Sequence, residues 1–201
     1  MKIFRITSAL LFVLFFQAGL FSMTGEEALA KFRGRMAGVD KISGIITWTA
    51  DSGMSYTGAF KYLAPGNIYV KFSNPRGKIL VSNGKKLWIY DPGSNICGIQ
   101  DLTGNGSGGI YSLVNGYNAI VSEGSENHII KLRNSDRHYS EITLKVDSTF
   151  FLNKAVFRTK DGKGITFSIS NVDMSPNFVK SIFDFSVPSN AQSIKNPLNI
   201  R

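Results

Sequence analysis

The side chains that carry chemistry are few and scattered. Cys97 is the single cysteine, and His128 and His138 are the two histidines. One thiol forms no intramolecular disulfide, and two histidines ten apart with no cysteine or carboxylate at ligand spacing do not make a zinc site. Cys97 and His138 are far apart with no third group aimed at them, so Cys97 reads as a small buried or strand-end residue. His128 and His138 flank a strand and read as solvent-edge residues. Asp51, Asp91, Asp101, Asp161 and Glu141 lie in or beside turns or on an outward alternation, which supports no acid/base pair. Gly104, Gly106 and Gly109 match G-x-G-x-x-G in letters, but they follow antiparallel strands, with no βαβ unit to aim a helix at a pyrophosphate. Neither a phosphate-binding G-x-x-x-x-G-K-[ST] run nor a G-x-S-x-G run occurs. These residues predict no enzyme, no metal and no cofactor.

Basic side chains offer a second chemistry. The chain has 201 residues with 23 Lys+Arg against 14 Asp+Glu, a formal charge of +9. Lys61, Lys71, Arg76, Lys78, Lys85 and Lys86 form a stripe near Tyr69, Trp88 and Tyr90, a pattern that nucleic acid accepts. The N-terminus argues against that partner. Lys2 and Arg5 precede a 13-residue apolar run, 9–21, interrupted by Gln17, which has the layout of a secretory signal and is short for a bilayer span. Residues 1–22 are expected to be removed, leaving 23–201 as one exported domain; an uncleaved anchor is the alternative. For an exported protein the basic face is either solvated or drawn to anionic headgroups or an acidic transporter surface.

At 43% apolar and 12% aromatic, the chain has the means to build a core. Thr24, Glu27, Leu29, Phe32 and Met36 have the spacing of a capped amphipathic helix over 24–38. The period then changes to two. Runs at 42–50, 58–63, 68–72, 79–82 and 87–90 are separated by Asp-Ser-Gly, Ala-Pro-Gly-Asn, Asn-Pro-Arg-Gly, Asn-Gly and Asp-Pro-Gly turns. Links this short join antiparallel neighbours. After the glycine cluster, 111–120 reads as a short helical insert. Runs at 129–132, 140–146, 151–159 and 164–172 resume the alternation, and 183–187 ends the fold. The expectation is an α+β domain, mainly β, with one helix and about ten strands.

One face of this sheet collects apolar side chains. Ile46 and Trp48 come from the first run, Phe60 and Tyr62 from the second, Ile68, Val70 and Phe72 from the third. Ile79 and Val81 follow from the fourth, then Leu87 and Ile89. The helix and the insert, which offers Leu113, Val114 and Tyr117, are small for so wide a face. Such a sheet must curl into a barrel or leave a hydrophobic concavity. Periodicity leaves open whether its interior is filled or hollow.

The run 79–92 (ILVSNGKKLWIYDP), with DGKGITFSISN at 161–171 and FDFSVP at 183–188, resembles the periplasmic outer-membrane lipoprotein carrier family, LolA-like proteins. The resemblance extends over nearly the whole chain after the signal. It implies a half-barrel with a helical lid, 102–120, over a hydrophobic concavity. That concavity takes the acyl chains of lipoproteins from an inner-membrane transporter and passes them to an outer-membrane acceptor. A monomer is expected. A sensor that uses the same concavity and binds a partner protein without transport is the alternative. The family's Lys-Arg-Pro triplet, whose arginine holds the lid, reads Leu63-Ala64-Pro65 here, so Ala64 removes that donor.

Overall fold

The computed structural model describes residues 23–102, 114–124 and 126–196. Residues 1–22, expected to be a signal, lie outside them, as do 103–113, which hold the glycine cluster, Leu113 and most of the expected lid. Helix α1, Gly25–Ala37, starts where the sequence places it. The Thr24 hydroxyl accepts from the Glu27 N–H, and the Glu27 carboxylate accepts from the Thr24 N–H at 2.8 Å, which satisfies donors that the first turn leaves free. Its apolar stripe, Ala28, Leu29 and Phe32, is fully buried.

The rest is one open, curved sheet that does not close into a barrel. In chain order its strands are β1 (Lys41–Ala50), β2 (Ser55–Leu63), β3 (Asn67–Asn74), β4 (Ile79–Asn83), β5 (Lys86–Asp91), β6 (Ile96–Asp101), β7 (Asn118–Glu123), β8 (Asn127–Arg133), β9 (Tyr139–Asp147), β10 (Leu152–Thr159), β11 (Gly164–Asp173) and β12 (Gln192–Lys195). Their spatial order is β12-β6-β5-β4-β3-β2-β1-β11-β10-β9-β8-β7. Two meanders, β1–β6 and β7–β11, are therefore joined by the pairing of β1 with β11. Irregular register on β1 beside β11, on β2 beside β3 and on β10 beside β9 bends the sheet. At Gly58 a Cβ would lie 2.6 Å from the Lys71 carbonyl, so the strands approach there only because the side chain is absent.

Four runs differ from the sequence reading. Residues 96–101, where Gly98 interrupts the apolar residues and no strand is expected, form β6 and pair with β5. Residues 118–120 belong to strand β7, not to a helix: the Asn115-Gly116 turn ends the helical spacing, and Ala119 and Val121 then pack inward while Ile120 faces out. The 183–187 run makes no ladder. It follows a short 3-10 helix, Lys180–Phe183, and crosses the convex face, where Phe185 tilts against Trp88 and Tyr90 with ring centroids 6.3 and 6.1 Å away. Strand β12 then pairs parallel to β6. The convex face of β3–β6 is thus covered by the chain's own tail.

Candidate functional site

Helix α1 covers half of the concave face. Its stripe packs on Ile130, Leu132, Ile142, Leu144 and Ala155, and that half is a filled core. A 13-residue helix cannot reach across the other half. There the concave face encloses a cavity of about 500 Å³, within the usual range for small-molecule pockets.

Register explains the lining. Ile46 and Trp48 of β1 stand opposite Ile169 and Phe167 of β11, so one inward alternation continues across the junction of the two meanders. Phe60 and Tyr62 of β2 pair with Val70 and Ile68 of β3 and form the adjoining wall. Ile165 and Phe157 extend the opposite wall, and Met36, Val39 and Phe151 close the end near the helix. No charged side chain lines the cavity among the described residues. The strand ladders use the backbone polar groups, which leaves hydrocarbon and aromatic surface facing the void. That surface can hold an apolar chain.

A second cavity, about 230 Å³, adjoins the first at Trp48, which lines both. Trp48 stacks on Tyr56 at 5.5 Å, and Phe72 meets Tyr56 edge-on at 5.7 Å, an arrangement aromatic quadrupoles favour. Met54, Leu80, Ile89 and Lys78 complete it. At its rim the Lys78 ammonium, 3.0 Å from Asp91, holds that carboxyl below the ordinary carboxylate range.

Of the residues singled out by alternation, Ile46, Trp48, Phe60, Tyr62, Ile68 and Val70 line the larger cavity, while Phe72 and Ile89 line the smaller. Leu87 pairs with Ser82 on the concave side beyond both. Ile79 and Val81 are on the other face. Tyr69 and Lys71 are their partners in β3, and Val81 is fully buried beneath the tail segment. Ile79-Leu80-Val81 is apolar at every position, so it carries no alternation from which to read its phase, and Leu80 is the inward residue. Val114 and Tyr117 pack in the core with Leu29 and Phe32 rather than against the cavity. Sequence reasoning passed over the β11 wall, although 165, 167 and 169 alternate as plainly as 46 and 48. The missing information was the β1–β11 pairing.

The other candidates for chemistry stay apart. Cys97 is fully buried on the convex face, where burial pushes its thiol up. His128 stacks flat on Phe150, and His138 meets Tyr139 edge-on. Among the described residues no group of three or more His, Cys, Asp or Glu converges as metal ligands. Ala64 spends its N–H on the Asp40 carbonyl and has no side-chain donor.

Residues 49–186 match the family model described as outer membrane lipoprotein carrier protein LolA. An outer-membrane lipoprotein carrier protein of Haemophilus ducreyi is 20% identical over 199 residues, covering 94% of both chains. One from Glaesserella parasuis is 22% identical over 144 residues, covering 67% of both. A solved structure, an uncharacterized conserved protein from Thermus thermophilus, shares the fold with a TM-score of 0.58 at 14% identity, covering 85% of this chain and 98% of its own.

Proposed function

Because the chain belongs to the outer membrane lipoprotein carrier family, we propose that it is a periplasmic carrier. It takes the acyl chains of lipoproteins into the concave cavity at the inner membrane and surrenders them to an acceptor at the outer membrane. The observation that carries this reading is the 500 Å³ void between β11 and β3, lined by hydrocarbon and aromatic side chains and left uncovered by α1.

Energetics favour a carrier that does not hold its cargo too well. Burying about 16 methylenes at ~0.8 kcal/mol each contributes on the order of 13 kcal/mol, more than a transfer step can undo without opposition. Ordering of cavity-lining side chains and incomplete enclosure by an open sheet oppose it. Binding alone, without bond breaking, is the activity such a lining supports.

The test is to isolate the protein from its native periplasm, extract it with organic solvent and identify the released species by mass spectrometry, then incubate the loaded protein with acceptor membranes. Acylated protein that leaves with the membranes is the expected result. An empty extract, or equal binding of delipidated and lipidated cargo, refutes the reading. Acylated cargo retained without transfer assigns the site to the sensor instead.

A further inference from the structure

We infer that the end of the sheet formed by the β1–β2, β3–β4, β5–β6 and β10–β11 turns is a docking surface for an anionic lipid bilayer. It adds to the carriage proposed above, shares the Trp48 wall with it, and is separable from it by experiment.

Two exposed apolar side chains mark the surface. Met54, at the β1–β2 turn, is 57% exposed and Trp48 is 42% exposed, although both line cavities. Met36, Val39 and Phe151 close the opposite end of the larger cavity. An apolar path therefore runs from the turn at Met54, past Trp48, into the void. Single exposed apolar side chains such as Ile120 and Val179 are ordinary, but Met54 and Trp48 continue the lining of two cavities and so form a contiguous apolar surface, and Trp is the side chain most at home where hydrocarbon meets headgroups.

The charges around these groups are sorted. The turns touch in pairs: the Asp51 N–H donates to the Gly164 carbonyl at 3.0 Å, and Gly77 abuts Pro92. Each acid in them has a cation. Asp51 faces Arg158 at 3.8 Å, Asp91 faces Lys78 at 3.0 Å, and Asp161 faces Lys163 at 2.8 Å. Arg76 and Lys160 remain, both exposed, with no carboxylate within 4 Å among the described residues. In the next turn, β8–β9, Asp136 and Arg137 balance. The rim is thus apolar at its centre with a surplus of positive charge at two flanks, which complements an interface of lipid tails and anionic headgroups. A uniformly acidic protein surface would match the cations and leave Met54 and Trp48 against charge, whereas a bilayer supplies hydrocarbon and anionic groups together.

The experiment is flotation of the purified protein with vesicles of phosphatidylcholine alone or mixed equally with phosphatidylglycerol. Co-flotation with the anionic vesicles, weakened by salt and weak on the neutral ones, is expected. The variant Arg76→Glu/Lys160→Glu, and separately Met54→Ser, alter exposed turn positions and keep the fold. The charge variant should lower partitioning by about tenfold or more, and Met54→Ser should lower it measurably. No co-flotation, unchanged co-flotation in both variants, or binding only when a membrane protein is embedded in the vesicle overturns the inference. A fluorescent fatty-acyl probe, added in a parallel titration, reports the cavity. A wild type that floats yet takes no probe sinks the carrier reading and leaves docking intact; one that takes probe and never floats does the reverse.

Discussion

The Arg33 guanidinium, on α1, donates through Nη2 to the backbone carbonyl of Val114 at 3.3 Å, across 81 residues of sequence. Arg137 donates to the next carbonyl, that of Asn115, and Asn134 to the one after, that of Gly116. Three consecutive carbonyls outside any strand ladder thus each receive a side-chain donor, and this holds Val114 and Tyr117 in the core beneath the helix. Arg33→Met keeps the apolar stem and removes the donor, so the variant should lose about 1–2 kcal/mol of unfolding free energy in urea. A variant as stable as the parent would mean that packing alone seats the segment.

The contrast with Ala64 shows what the sequence makes legible. Helix, meanders and the inward set Ile46, Trp48, Phe60, Tyr62, Ile68 and Val70 follow from local rules, because capping and alternation act within a few residues. The second wall, Ile165, Phe167 and Ile169, depends on β1 finding β11, a pairing between residues more than a hundred positions apart that no local pattern encodes. The phase of 79–81 was unreadable because three apolar residues in a row satisfy either face. Arg33 was invisible for the same reason as β11: its partner is chosen by the fold, not by spacing.

Acid should loosen the turn that presents Phe150 and Phe151. Burial of Asp147 favours its neutral form, but the Thr149 hydroxyl and the N–H groups of Phe151 and Thr149 outweigh this and hold its pKa below the ordinary 3.8. A group depressed in the folded state contributes stability above its unfolded value and loses it as pH falls through the folded one. The parent should therefore lose stability below about pH 4 more steeply than Asp147→Asn. Parallel melting curves from pH 5 downward check this, and identical slopes would remove Asp147 from the account.

Cys97 should be silent toward thiol reagents. Burial raises its pKa, and its side chain lies on the convex face of β6, where Ser193 of β12 pairs beside it. The thiolate is the reactive species, so labelling at mild alkaline pH should be absent in the native protein and complete in denaturant. Native labelling at the rate of a free thiol would show that the β12 cover opens readily.

Face-specific charge insertion tests the site most directly. Ile46 is half-buried in the cavity wall, where a carboxylate can reach the opening of the sheet, while Val81 is fully buried on the opposite face under the tail. Ile46→Glu should fold with a melting curve near that of the parent and lose acyl-probe affinity by roughly 30-fold or more, because an unpaired charge beside a hydrocarbon chain costs about 2 kcal/mol or above. Val81→Glu should unfold the domain, since a fully buried unpaired carboxylate exceeds about 3 kcal/mol of the 5–15 a domain of this kind has. Val70→Glu, on the cavity side but 3% exposed, should lose the probe and part of the stability together. If Ile46→Glu binds the probe as the parent does, the void on the concave side between β11 and β3 is not where the acyl chain lies, and the aromatic cavity around Trp48, Tyr56 and Phe72 becomes its place.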